Sequence, residues 1–334
     1  MNQEQRNNGR IAMSRQIILA ACLFLNAVFL TPAAAQGKAP SLNLATVPWI
    51  NAPIFTADKL GYWRDEGLDV KLTILPSTPK QIELIVAGEL VAGTAGYIPF
   101  IIAVSRGVKI VAVADASIAT KENPLDAIIV RKDSPIKTLA DLKGKTIAVH
   151  SKGGVEDVVL RGKVFPALKL DPDRDVKIVE IPWPQMEGAL KAGTVDAVHP
   201  IEPFLTRIAD NNRILTRLEE YYPPEGEPIA FIVMSQVFVK KNPELVRKFL
   251  RGYLRGVTTS QTMKIEELAK IEAEYLKLPA ELIARIRPVQ FAADGRILVK
   301  SVQRQADELH KMGFIQKKVT VADHIDHSYL PPKR

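Results

Sequence analysis

Ala127 to Val149 reads AIIVRKDSPIKTLADLKGKTIAV. It opens on Ala127-Ile128-Ile129-Val130, four apolar residues in a row. Such a run suits a strand buried on both faces. It closes on Thr146-Ile147-Ala148-Val149, which reads the same way. Between them, Thr138-Leu139-Ala140-Asp141 places a hydroxyl three residues ahead of a carboxylate, the spacing of a reciprocal helix cap. A strand, a capped turn and a second strand in so short a stretch begin an α/β layer.

The alternation continues outward in both directions. Upstream, Leu42 to Val47 reads as a strand ended by Pro48, Ile54 to Leu60 as a helix stopped at Gly61, and Val70 to Ile74 as a second strand. Lys80 to Ala87 is helical, with Pro79 at its start and Gly88 beyond its end. Ile110 to Ala114 is another strand. Downstream, helices are expected over Val155–Leu168, Met186–Ala192 and Pro203–Ala209, with strands at Val176–Ile181, Val195–His199 and Phe231–Met234. Asn242-Pro243 then opens a long helix whose Leu245, Val246, Phe249, Leu250, Tyr253, Leu254 and Val257 share one face. Helices at Ile265–Leu276, Ala280–Arg285 and Val299–Met312 complete the chain.

The first 35 residues stand apart. Arg6, Arg10 and Arg15 precede an apolar run from Ile17 to Leu30, and Thr31-Pro32-Ala33-Ala34-Ala35-Gln36 follows with small residues. That order is a secretory signal, cleaved after about Ala35. The run is shorter than the roughly 20 residues that span a bilayer. Cys22 lies too close to the start of the run to be a lipidated first residue, so it leaves with the leader. The mature chain then has no cysteine, which excludes disulfides and thiol chemistry. The formal charge of the full chain is +8, with acidic and basic residues interspersed. No basic stretch alternates with aromatics, so nucleic acid is not an expected partner. A basic chain leans toward an anionic solute.

Four further stretches occur in a familiar order: Ala57 to Val70, containing Gly61-Tyr62-Trp63 and Gly67-Leu68; Leu84 to Gly93; Ile129 to Lys145; and Ala189 to Ala197 followed by Glu202-Pro203. Together they resemble the periplasmic binding proteins of the nitrate/sulfonate/taurine and thiamine-precursor family. Val91 departs from the pattern, where an aspartate is common. The resemblance implies a type II periplasmic-binding fold, with two α/β lobes joined by two crossing strands and a ligand cleft between them. Lobe 1 would hold residues 36–125 and 230–334, and lobe 2 residues 126–229. It implies capture of a small molecule and delivery to an ABC permease in the inner membrane, by a monomer without cofactor or catalytic residues. Family members take sulfonates, nitrate, pyrimidines and aromatic acids.

Ligands of α/β sheets sit at the carboxyl ends of strands, beside helix starts. After the first strand come Trp49, an aromatic face, and Asn51, a hydrogen-bonding head. After Val149 comes Ser151-Lys152-Gly153-Gly154, with backbone amides suited to an anionic or carbonyl oxygen. Ser151, Gly153 and Gly154 are therefore candidates, although a simple capped turn has the same composition. Glu202 follows the strand at Val198 and is a candidate to accept from a ligand donor group or to close the cleft; a helix cap or a lobe-to-lobe ion pair is the alternative. Tyr97 follows Gly93-Thr94-Ala95-Gly96, read as a flexible loop, and Trp183 lies between Pro182 and Pro184 in another. If they line the cleft, Trp49, Tyr97 and Trp183 favour a flat or organic ligand over nitrate, so the expected ligand is a small organic anion or heterocycle of the sulfonate, aromatic-acid or pyrimidine class. His324 and His327 have a metal-compatible spacing but too few neighbouring ligands. No dinucleotide-type glycine loop follows a strand. An enzyme on the same fold and a ligand sensor serving a receptor are the competing functions. The pyrimidine synthases of this fold use a cysteine-rich motif, which the mature chain lacks.

Overall fold

The computed structural model describes residues 39–332, except 50, 121, 124, 219–225 and 288. The leader read over residues 1–35 lies outside the described residues. Ten strands form two five-stranded sheets. The first contains β1 (Ser41–Thr46), β2 (Asp69–Ile74), β3 (Ala92–Gly96), β4 (Ile110–Ala119) and β10 (Glu227–Ser235). The second contains β5 (Ala127–Arg131), β6 (Thr146–Val149), β7 (Lys177–Glu180), β8 (Ala197–Val198) and β9 (Asn212–Arg217).

The two sheets share one plan. Their orders are β2-β1-β3-β10-β4 and β7-β6-β8-β5-β9. In each, three parallel strands are followed by an antiparallel one. That strand, β10 or β5, is the one by which the chain arrives from the other sheet. The chain therefore crosses twice, after β4 and after β9, and the fold is a mixed α/β fold of two lobes. The strands read at Ala127–Val130 and Thr146–Val149 lie inside the second sheet, each between two others, and are buried apart from the half-buried Thr146. The cap at Thr138 is reciprocal with Asp141, as its spacing predicts.

Gly93-Thr94-Ala95-Gly96 is a strand, not the loop its composition suggests. β3 lies between β1 and β10, and a Cβ on Gly93 would come 2.8 Å from the Gln81 amide oxygen and 3.1 Å from Ile85. Small residues let α2 (Thr78–Ala87), which carries Gln81 and Ile85, pack directly on the sheet. Segment Val155–Leu168 is helical in three registers: α over Val155–Val159, π over Leu160–Val164 and α again over Phe165–Ala167.

The long helix α7 (Pro243–Thr262) buries Val246, Phe249, Leu250, Tyr253 and Val257, the face its periodicity marks. It lies backbone-close on α1 (Ala52–Lys59), the helix that follows the first strand. A Cβ on Gly256 would come within 2.2 Å of the Pro53 carbonyl oxygen, and one on Gly252 within 2.4 Å of the Trp63 ring. The Trp63 indole donates to the Phe249 carbonyl at 3.0 Å, and Tyr253 donates to that of Asp115 at 2.8 Å. These contacts fix where the chain leaves β1. Between the lobes, Lys163 pairs with Glu227 at 3.3 Å and Glu308 at 3.4 Å, and Arg285 donates to Asp210 at 3.1 Å.

Gly256→Ala should lower stability by about 1–3 kcal/mol, because the clashing atom is backbone and cannot turn aside. Gly188→Ala, in a helix with nothing within 4 Å of the added carbon, should gain about 0.5–1 kcal/mol. Urea melts of both variants check this; equal midpoints would contradict the close packing of α7 on α1.

Candidate functional site

A cleft of about 860 Å³ opens where strand ends of the two sheets meet. Val47, Trp49, Thr94 and Gly96 reach it from β1 and β3, and residues 150–156, Glu180, Pro182 and Trp183 from β6 and β7. Asp126 lines it from the crossing into β5. The first lobe adds mostly apolar lining, with Pro76, Pro79, Ile82, Pro99 and Phe314. Five of the eight residues singled out from sequence meet here: Trp49, Ser151, Gly153, Gly154 and Trp183.

The turn after β6 has the shape its composition predicts. Gly153 adopts φ +73°, a left-handed conformation that favours glycine. The Gly154 amide closes the turn on the Ser151 carbonyl at 3.1 Å. The amides ahead of the helix are not open, however. Lys152 donates its backbone N–H to the Glu180 carboxylate at 2.9 Å, and Gly153 donates to Asp157 at 2.8 Å. Asp157 is in turn held by Arg161 at 2.7 Å. Two amides of the turn ahead of the helix, which could have held an anionic ligand oxygen, are taken by the chain's own carboxylates.

Beside this turn, the His150 ring stacks on Trp183 with centroids 3.7 Å apart and planes 16° apart. Trp183 is not in a loop. It is the first residue of α5 (Trp183–Ala192), and Pro184 fits the second position of a helix, where no amide partner is needed. Its indole donates to Glu156 at 3.1 Å. Glu156 is buried, and desolvation raises its pKa while nearby His199 and the Trp183 bond oppose the rise. His199, fully buried, pairs with Asp126 at 2.9 Å. Burial also lowers the His150 pKa, against the opposing pull of Glu180. Trp49 Nε1 and His150 Nδ1 have no hydrogen-bond partner among the described residues. The cleft is thus lined by flat faces, two aromatic residues whose unpartnered nitrogens are themselves buried, and buried carboxyls. Its cations, Arg106 and Lys152, are both exposed.

Asn51, Tyr97 and Glu202 are placed elsewhere. Asn51 is fully buried and donates to Thr46 at 2.9 Å. Thr46 meets Thr94 at 3.0 Å, so Asn51 braces the cleft floor from behind. Tyr97 is buried at the head of a helix and bonds to Glu227; burial and that carboxylate raise its pKa well above the phenol range. Glu202 accepts from the Thr206 amide at 3.1 Å and its hydroxyl at 2.9 Å, the capping role read as its alternative.

The profile of a family described as NMT1/THI5 like matches residues 51–262. The chain belongs to the NMT1/THI5-like family. The match begins just after β1 and ends with α7, so it takes in most of both sheets. A Haemophilus influenzae protein named for thiamine biosynthesis is 32% identical over 281 residues, 82% of this chain and 87% of that one. A Bacillus subtilis protein named for binding aliphatic sulfonates is 25% identical over 291 residues, 84% of each chain. The periplasmic aliphatic sulphonate binding protein SsuA from Escherichia coli superposes with a TM-score of 0.70 at 23% identity, covering 86% of this chain and 97% of its own. The periplasmic nitrate-binding protein NrtA from Synechocystis gives 0.72 at 16%, covering 87% of each. At these identities the structures show a shared periplasmic binding protein fold.

Within this NMT1/THI5-like cleft, sequence reasoning missed Asp126, His150, Glu156 and Glu180. His150 and Glu180 sit at strand ends and were within reach of the same argument that found Ser151. Glu156 lies in the first turn of a helix, where an acid is unremarkable. Asp126 reaches the cleft only through the crossing. Among the described residues, no three His, Cys, Asp or Glu side chains gather as a metal site, and no helix is long and apolar enough to cross a membrane. His327 accepts the Ile297 amide at 3.0 Å.

Glu180→Ala frees the Lys152 amide and removes a negative charge from the cleft lip. Its affinity for ethanesulfonate, measured by calorimetry, should rise several-fold over wild type. An unchanged affinity would mean that the carboxylate does not hold anions off.

Proposed function

We propose that the chain is the ligand-capturing protein of an ABC importer and that its ligand is a flat, amino-bearing nitrogen heterocycle of the pyrimidine class. Exported by its leader and cleaved near Ala35, it works in the periplasm. Residues 36–125 with 230–334 close against 126–229 over the ligand and present it to the permease. The family membership and the shared fold support the receptor reading, as does a relative named for binding aliphatic sulfonates.

One observation carries the ligand class. The amides of Lys152 and Gly153 are already occupied by Glu180 and Asp157. A sulfonate or aromatic carboxylate would compete with those carboxylates and meet Asp126 and Glu156 besides. Like charges in a poorly hydrated cleft repel strongly. A ring with an amino group reverses each term. Its N–H groups donate to the carboxyls, its ring nitrogens accept from Trp49 or His150, and its faces extend the His150–Trp183 stack. The overall positive charge of the chain points to an anion, but the charge beside the ligand decides.

A thermal-shift screen of 4-aminopyrimidines, alkanesulfonates, nitrate and benzoates separates these classes. A ligand at 100 times its Kd adds about 2.7 kcal/mol of stability, and the aminopyrimidines should be the ones that do so. A shift from sulfonates or nitrate alone would overturn the ligand class; no shift from any, with turnover of an offered compound, would overturn the receptor. Trp49→Ala should weaken binding about tenfold or more without unfolding the protein. Circular dichroism and titration together test this, and an unchanged Kd removes Trp49 from the site.

A further inference from the structure

A second cavity of about 280 Å³ lies among the C-terminal helices of the first lobe and shares no lining residue with the cleft. Met263, Leu268, Ile283, Ile286 and Phe291 give it apolar walls, and Glu272 is part of its lining. Glu272 is only 2% exposed. The Asn51 backbone amide donates to it, yet its Oε1 has no hydrogen-bond partner among the described residues. Burial pushes its pKa up to about 8, against the pull of that amide.

A buried carboxyl with one oxygen unserved is costly, and proteins seldom keep one without a partner. Arg287, the one basic side chain lining the cavity, is exposed and donates instead to the Glu122 carbonyl at 3.1 Å. A single carboxylate is a poor cage for a metal ion. A charged N–H donor gains more from a carboxylate oxygen than a neutral one does, and the apolar walls suit a short hydrocarbon body. We propose that this cavity is a binding site for a small primary amine, with its ammonium on Glu272 Oε1 and its apolar body between Met263, Ile283 and Phe291. The site stands apart from the receptor reading, since it neither uses the cleft nor depends on the cleft's ligand.

Calorimetric titration of the mature chain with benzylamine, and with benzyl alcohol as its uncharged counterpart, tests the proposal. Wild type should bind the amine about tenfold or more tightly than the alcohol, a difference of about 1.4 kcal/mol per tenfold. Glu272→Gln should remove that preference, while Trp183→Ala in the cleft should leave amine binding within about twofold. Equal binding to wild type and Glu272→Gln, loss of binding in Trp183→Ala, or no binding to wild type would each overturn it. A crystal structure of the unmutated protein with benzylamine gives a variant-free answer. Density against Glu272 supports the site, and density in the cleft alone, or nowhere, rejects it.

Discussion

A strand that enters a parallel sheet from a neighbouring lobe runs against the strands it joins, and this happens twice in the chain. β10 enters the first sheet beside β3, and β5 enters the second beside β8. These two insertions tie the lobes together inside the sheets, one strand in from an edge, where both strands are almost wholly buried. The remaining strands then point their carboxyl ends at a common cleft. Trp49, the turn after Val149 and Trp183 come from distant parts of the sequence, and they meet because of that arrangement. Asp126 owes its place to it directly, since it lies on the crossing itself, bridged to Ile201.

The chemistry of the cleft follows from how backbone donors are satisfied. A turn rich in glycine at a helix start exposes amides, and exposed amides take whichever acceptor is nearest. Here Glu180 arrives from the end of β7 and Asp157 from the helix itself. The same motif without those two acids would be an anion site. With them it becomes a negatively charged lip around a flat, partly apolar pocket. Relatives sharing one fold can thus receive different solutes by changing which side chains satisfy a few backbone groups.

The architecture was readable from sequence because its determinants are local. Apolar runs of four marked the central strands, the Thr138–Asp141 spacing marked a cap, and the stripe from Leu245 to Val257 marked the long helix. Misreadings arose where a local signal has two meanings. Gly93-Thr94-Ala95-Gly96 has loop composition, but small residues are also what a strand needs beneath a closely packed helix. Pro182 and Pro184 suggested a loop around Trp183, yet prolines also suit the start of a helix. Strand-end placement brought out Trp49, Ser151, Gly153, Gly154 and Trp183. It could not separate residues facing the cleft from those bracing it, which is where Asn51 and Glu202 lie. Nor could it foresee that Glu180 would reach back to the Lys152 amide, a contact across 28 positions of sequence.

The central claim is that carboxylates of this chain, rather than a ligand's own, occupy the Lys152 and Gly153 amides of the cleft turn. Native mass spectrometry of the protein purified from its native host, followed by release and identification of the bound molecule, addresses it directly. The account predicts one small amino-bearing heterocycle per chain. Recovery of a sulfonate, nitrate or an aromatic carboxylate would contradict it.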